Sequence, residues 1–195
     1  MKQELEEQLY NKYPKLFKER TLPMTQTAMC FGLECGSGWL NIVERMCSLI
    51  QNHINQSRSS ACYVKKYNRV LKQAIDGNDR NLRFHYKKLG HKDEAIEGFV
   101  KRDIENKAFR QSFREVVPQL QFTQIKEKFG TLRAYSTGGD EYCEGVISMA
   151  TSMSAITCEE CGMPGKQRSG AWIRTLCDNC VEARKTRTFR TLNEQ

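Results

Sequence analysis

Four cysteines near the C-terminal end constrain the fold more than any other feature of this chain. Cys158 and Cys161 are separated by two residues, and after fifteen further residues Cys177 and Cys180 repeat that spacing. A two-residue gap lets one tight turn aim two thiolates at one metal ion, and two such turns complete a tetrahedron. The spacing predicts one structural Zn²⁺ bound by the four cysteines, rather than four unrelated thiols or two disulfides.

The segment between the two cysteine pairs favours a small zinc ribbon. Glycines and a proline interrupt it, and Trp172, Ile173 and Leu176 can form a short hairpin packed against the cysteine turns. We expect Trp172 to pack in the core rather than to serve as a stacking surface. Four thiolates leave no open position for a catalytic water. The predicted metal therefore folds the C-terminal end and takes no part in catalysis.

Helical periodicity covers most of the remaining chain. A strong amphipathic pattern over 39–54 follows Gly36, Gly38 and Trp39, and we expect Trp39 to be a core anchor where two backbones approach closely. The polar stretch 55–60 (NQSRSS) is interpreted as a linker. Further helices are predicted over 61–75, 79–89, 93–117 and 140–156, and the irregular apolar pattern of 93–117 also allows a break near Asn106.

In residues 120–136 the apolar residues alternate with polar ones, with turn residues at Phe129 and Gly130. This pattern predicts a β-hairpin. The fold class is therefore α+β, with a predominantly helical core, a small antiparallel hairpin and a C-terminal zinc ribbon. We expect one domain over 1–157 and a second module over 158–195, which ends in a basic tail containing Arg187 and Arg190.

The bulk composition predicts a cytoplasmic protein that does not contact membranes. No apolar run approaches the length of a membrane span, and the start of the chain is acidic and amphipathic, unlike a secretory signal. Five cysteines remain outside the predicted metal site, and an odd number without a signal favours reduced thiols. They are Cys30, Cys35, Cys47, Cys62 and Cys143.

The net charge of +8 is concentrated in the middle of the chain. Residues 56–134 contain eighteen basic and nine acidic residues, and two predicted helices over 61–89 carry basic outer faces. Such faces can neutralise a row of phosphates, so nucleic acid or another acidic partner is a candidate ligand. The alternative is that these lysines and arginines are simply the residues of a solvent-exposed helix face that binds no partner. The candidate contact residues are Lys65, Lys66, Arg69, Lys72, Arg80, Arg83 and Lys87.

Two weaker ligand groups can also be drawn from the sequence. Cys30 and Cys35, with Cys47 or His53, form one of them, but their four-residue gap is a poor match to metal-binding turns. The other consists of Cys62, His85 and His91. Free cysteines are more often small buried apolar residues, and the two histidines are more simply solvent-facing or capping groups.

Three segments resemble a family of small, uncharacterised proteins encoded by tailed bacteriophages. They are 34–39 (ECGSGW), 124–133 (QIKEKFGTLR), and 158–162 together with 170–178. Family members typically have a histidine in place of Cys180, and either residue can bind zinc. The resemblance implies a viral origin and action inside a bacterial host, where accessory proteins of this size often bind host or defence proteins. It implies no catalytic residues.

Three functions follow as expectations. The first is a non-enzymatic, zinc-stabilised accessory protein that binds and modulates a host macromolecule, for example a defence or transcription component. The second is direct nucleic-acid binding through the helices at 61–89. The third is a metal-dependent nuclease on the hairpin, for which the spacing is wrong because Glu127 is adjacent to both Lys126 and Lys128. Neither the partner nor the oligomeric state follows from the sequence.

Overall fold

The computed structural model describes residues 1–111, 115–170 and 172–193, with side chains up to residue 186. The side chains of the basic tail at Arg187 and Arg190 lie outside this description. The chain mixes helix and strand, as expected for the α+β class. In chain order, the elements are α1 Gln3–Lys12, β1 Leu33–Glu34, α2 Leu40–Ile75, α3 Arg80–Lys88, α4 Asp93–Glu105, β2 Gln121–Lys128, β3 Thr131–Thr137, α5 Glu141–Ser154, β4 Lys166–Arg168, β5 Arg174–Leu176 and α6 Asp178–Asn193.

The chain forms two compact units. Residues 1–54 and 117–195 make one, which we call the mixed unit, and residues 55–116 make the other, which we call the helical unit. This division differs from the boundary expected at 157/158. The region after α5 belongs to the mixed unit because buried contacts connect it to distant residues: the Trp39 Nε1 atom donates a hydrogen bond to the carbonyl of Thr157 at 2.8 Å.

A three-stranded sheet in the order β1–β2–β3 forms the centre of the mixed unit. The expected hairpin is present: β2 and β3 pair antiparallel around a two-residue turn in which Phe129 and Gly130 both have positive φ. Such a turn matches the twist of the paired strands. β1 pairs in parallel with β2, with Leu33 opposite Ile125. The sheet packs on α1, α2 and α5, and Trp39 is fully buried in the resulting core.

α2 is one continuous helix of 36 residues, so the linker interpretation of 55–60 is wrong. The segment lacks glycine and proline, and its serines and asparagine each disfavour helix by only about 0.5 kcal/mol. The apolar positions on either side, including Ile54 and Ala61, are buried and hold the helix in register. No helix in the described part of the chain is both long and apolar enough to cross a membrane.

The helical unit consists of the second half of α2, with α3 and α4 packed on it. Its core is formed by Tyr67, Leu71, Ala74, Leu82, Tyr86, Ile96 and Val100. Asp103 is buried in this core and accepts hydrogen bonds from the hydroxyls of Tyr67 and Tyr86 and from Arg102. α4 ends at Glu105, at the break that the apolar pattern allowed near Asn106 rather than at residue 117, and the backbone at Lys107 adopts a positive φ.

Candidate metal centre

The four predicted cysteine ligands come together after α5. The sulfur atoms of Cys158, Cys161, Cys177 and Cys180 all lie within 4.8 Å of one another. The Cys161 and Cys177 sulfurs are 3.6 Å apart. Tetrahedral coordination with metal–sulfur bonds of about 2.3 Å separates the sulfur atoms by about 3.8 Å, so the cluster has the right size to hold one metal ion.

Each cysteine pair lies in its own tight local structure. Gly162 has a φ of +77° and donates its backbone N–H to the carbonyl of Cys158, which closes the first turn. Cys177 follows β5, and Cys180 lies in the first turn of α6, where its N–H points at the Cys177 sulfur at 3.4 Å. Between the two pairs, β4 and β5 form an antiparallel two-stranded sheet. This hairpin fixes the distance between the two turns.

The thiols of the cluster differ in acidity. Burial opposes ionisation of Cys158, but hydrogen bonds from the backbone N–H groups of Cys177, Cys161 and Glu160 lower its pKa to about 7. Burial, followed by the neighbouring thiols and the charge on Cys158, raises the pKa of Cys180. Cys158 therefore loses its proton more readily than Cys180, and a bound cation would favour the thiolate form of the ligands.

Glu159 connects the cluster to the rest of the mixed unit. Its side chain is only 3% exposed and pairs with Arg174, whose Nη2 atom is 2.8 Å away. It also accepts the backbone N–H of Gly36 at 2.9 Å. Gly38 donates its own N–H to the Glu159 carbonyl. The glycines next to Trp39 therefore allow close backbone approach, as expected, but nothing in the sequence pointed to Glu159 as their partner.

The expectation that Trp172 packs in the core is wrong. Its side chain is 72% exposed, and its Nε1 atom donates to a Glu127 carboxylate oxygen at 2.9 Å. Trp172 lies just before β5, outside the paired residues of this short hairpin, so the strand cannot direct the ring inward. Leu176 does pack inward, as predicted.

The alternative metal-ligand groups are not assembled. Among the described residues, the four cysteines after α5 are the one group of three or more possible ligands within metal-binding distance. Cys35 and Cys47 are buried, and burial raises the pKa of Cys35 to about 12. His53 instead lies 2.8 Å from a carboxylate oxygen of Asp140.

The seven predicted basic contact residues do not form one set. Arg83 is paired with Asp79 and Glu97 at 2.7 and 2.6 Å, and Lys87 lies 3.6 Å from Asp93. The remaining residues, on α2 and at the start of α3, are exposed and form no ion pair within the described chain. They are Lys65, Lys66, Arg69, Lys72 and Arg80.

On α2, three of these residues form a row with Arg58, which the prediction from the sequence did not include. Residues at spacings of seven, four and three lie on one side of a helix. Arg58, Lys65, Arg69 and Lys72 follow this spacing, and we call them the basic stripe. The helical unit carries fifteen basic and eight acidic residues, for a net charge of +7, whereas the mixed unit carries sixteen and fifteen. Nearly all of the excess positive charge therefore belongs to the helical unit.

Comparison with protein-family models, with curated proteins and with solved structures found no match to this chain.

Proposed function

We propose that the chain is a non-enzymatic, zinc-stabilised accessory protein of a bacteriophage that binds and modulates a macromolecule of the bacterial host, with a defence or transcription component as the candidate partner. The observation that carries this proposal is the closed set of four cysteine sulfurs within 4.8 Å of one another. A metal held by four thiolates supports folding and offers no position for substrate or water.

Zn²⁺ is the metal that best suits these ligands. Soft thiolates in a tetrahedral arrangement select zinc or iron–sulfur clusters, and two short turns flanking a β-hairpin make a zinc ribbon. One ion of Zn²⁺ would be held by Cys158, Cys161, Cys177 and Cys180. Its role would be to keep the hairpin and the buried Glu159–Arg174 pair in place.

The arrangement of the hairpin supports a function other than catalysis. A nuclease site needs a free carboxylate beside a lysine. Glu127 lies between Lys126 and Lys128 in β2, so its side chain points to the opposite face of the strand. Its carboxylate oxygens accept hydrogen bonds from the N–H of Gly130 at 2.6 Å and from Trp172. A cleavage assay with Mg²⁺ or Mn²⁺ tests this point, and metal-dependent cleavage that is lost in Glu127→Gln would contradict it.

The basic stripe favours a second candidate function, direct binding of nucleic acid by the helical unit. Four cations on one side of α2, in a unit with a net charge of +7, can neutralise consecutive phosphates. If each contacts one phosphate of duplex DNA, the logarithm of the affinity falls with the logarithm of the salt concentration with a slope of about −3.6. Arg69→Glu should weaken binding strongly, whereas Arg83→Glu, at a residue already paired with two carboxylates, should have a smaller effect.

Affinity capture from a bacterial lysate, carried out with and without nuclease treatment, separates these two functions. We expect a stoichiometric host protein that survives nuclease treatment and that forms a one-to-one complex when purified separately. Recovery of only chaperones and ribosomes would count against the first function. A partner that disappears with nuclease treatment and with Arg69→Glu would instead support nucleic-acid binding.

A further inference from the structure

One face of the β2–β3 hairpin packs on the core of the mixed unit, and the other carries charged and polar residues. Phe122, Ile125 and Leu132 are buried on the core side. β2 has an irregularity between Phe122 and Gln124, and from Gln124 onward its side chains alternate, so every second residue points away from the core. This outer face carries Gln124, Lys126, Lys128, Arg133 and Tyr135. Glu34 of the neighbouring β1 borders it: it lies opposite Lys126 and accepts a hydrogen bond from Gln124 at 2.9 Å.

Three cations meet on this face. Lys126 and Arg133 are directly opposite each other in the antiparallel register, and Lys128 is two residues further along β2. None of the three forms an ion pair with a residue that the structure describes. Like charges directly opposite each other destabilise an antiparallel pair. Glu34 neighbours Lys126 on the β1 side only, and a bound anion would neutralise the charge that remains on Arg133 and Lys128.

Aromatic rings lie on either side of these cations. Tyr135 is 44% exposed, and the Lys126 Nζ atom lies 5.7 Å from the centre of its ring. Phe129, at the tip of the hairpin, is 66% exposed, and the Lys128 Nζ atom lies 5.5 Å from its ring. The face therefore offers two rings, each beside a cation.

We infer that this face of the hairpin binds single-stranded nucleic acid. Exposed rings offer flat surfaces on which unpaired bases stack, and the neighbouring cations neutralise the phosphates between those bases. Bases inside a duplex are already stacked and cannot reach the rings. An acidic peptide could use the charges but would leave the rings without a partner. The inference goes beyond the proposed function and depends neither on the host partner nor on the basic stripe.

Fluorescence anisotropy with a labelled oligodeoxythymidine of about 20 nucleotides tests the inference. Tyr135→Ala should weaken binding at least about fivefold, because it removes one stacking surface, whereas Tyr135→Phe should retain the affinity. Arg133→Gln should weaken binding and reduce the salt slope by about 0.7, the contribution of one phosphate on a single strand. It should also leave the melting temperature unchanged or raise it, since it removes the cation opposite Lys126.

The controls separate this face from other surfaces and other ligands. Arg69→Gln, on the basic stripe, should retain the oligodeoxythymidine affinity. Polyglutamate should compete poorly. The inference is overturned if the wild-type protein fails to bind at low salt, or if Tyr135→Ala binds as well as the wild type. It is also overturned if polyglutamate displaces the oligonucleotide at equal charge concentration, because the face would then recognise acidic peptide.

Discussion

Gly38 shows how a residue without a side chain positions the candidate metal centre. A Cβ atom at this position would lie 2.3 Å from the carbonyl oxygen of Cys158 and 2.6 Å from the backbone N of Gly162. Both neighbours are backbone atoms, which cannot rotate away as a flexible side chain would. The contact holds the first cysteine turn against the start of α2, and it exists only because Gly38 has no side chain.

We predict that Gly38→Ala destabilises the mixed unit by more than about 2 kcal/mol and weakens metal binding, because the cysteine turn must move. Gly145→Ala is the matched control: Gly145 lies inside α5 with nothing within 4 Å of an added Cβ. This control should stabilise the protein by about 0.5–1 kcal/mol through helix propensity. Denaturant titrations of both variants measure the difference, and equal effects would show that the contact with the cysteine turn is unimportant.

His85 provides a second prediction at the residue scale. Burial, followed by the positive charges of Arg110 and Lys66, lowers its pKa. In the unfolded chain, the imidazole gains its proton near the ordinary pKa of about 6.5. The unfolded state therefore binds more protons, and the stability of the helical unit should decline as the pH falls from about 7.5 to 5.5.

Circular dichroism during urea unfolding measures this dependence, and His85→Phe should flatten it. Asp103 does not contribute over this range: burial opposes its charge, but hydrogen bonds from Tyr67, Tyr86 and Arg102 together keep its pKa below the ordinary value. A wild-type stability that stays level or rises as the pH falls would contradict the assignment to His85.

At the residue scale, the sequence predicted local chemistry well and distant partners poorly. The four cysteines could be assigned because each pair acts within its own turn, so the spacing in sequence reports the spacing in space. The partner of Gly36 could not, since Glu159 lies 123 residues away. The prediction that Trp172 is buried was wrong for a related reason. Its hydropathy favours burial, but its ring donates a hydrogen bond to Glu127, 45 residues earlier.

At the scale of elements, the change from helical to strand periodicity near residue 120 correctly predicted the β2–β3 hairpin. The polar stretch 55–60 was wrongly predicted to be a linker, because it lies inside α2. A β-hairpin carries its own turn signal, which in this chain is Phe129-Gly130. The interior of a long helix carries no such signal, and a polar run there resembles a loop. The decisive observation is the lack of glycine or proline in the run, because only these residues have a cost large enough to end a helix between two packed segments.

Substitutions at Ser59 test the continuity of α2. Ser59 is exposed within the helix, so Ser59→Ala should stabilise the protein by about 0.5 kcal/mol. Ser59→Pro should cost about 3 kcal/mol or more, because proline removes one helix hydrogen bond and its ring clashes with the preceding turn. Thermal unfolding of the two variants supplies the measurement. A proline variant as stable as the wild type would indicate that 55–60 is a linker after all.

At the scale of the whole molecule, the two units differ in net charge and in metal-ligand content. The mixed unit contains the cysteine cluster and nearly balanced charge, and the helical unit contains most of the positive charge. The division at 54/55 and 116/117 could not be predicted, because the hydrophobic pattern around neither point indicates a domain boundary. One point lies within α2, and the other lies near a proline that precedes β2. Only contacts between residues far apart in sequence define the mixed unit.

Metal removal should therefore affect one unit selectively. We predict that a chelator under reducing conditions exposes the amides of 158–180 to hydrogen exchange while α3 and α4 keep their protection, since no cluster ligand lies in the helical unit. Cys161→Ser should lose the metal, whereas Cys62→Ser, at an exposed cysteine outside the cluster, should retain about one equivalent of zinc. Equal loss of protection in both units would contradict independent stabilisation.

The hydrogen bond from Ser57 Oγ to the Glu115 carbonyl at 3.2 Å has a consequence for the order of folding. It brings the two ends of the helical unit together, and Ile54 and Val117, just beyond them, share one core. Once the helical unit has folded, the long loop between Leu33 and Ile125 is already largely closed, which lowers the entropic cost of pairing β1 with β2. We expect the helical signal to appear first in stopped-flow refolding, with burial of Trp39 following it.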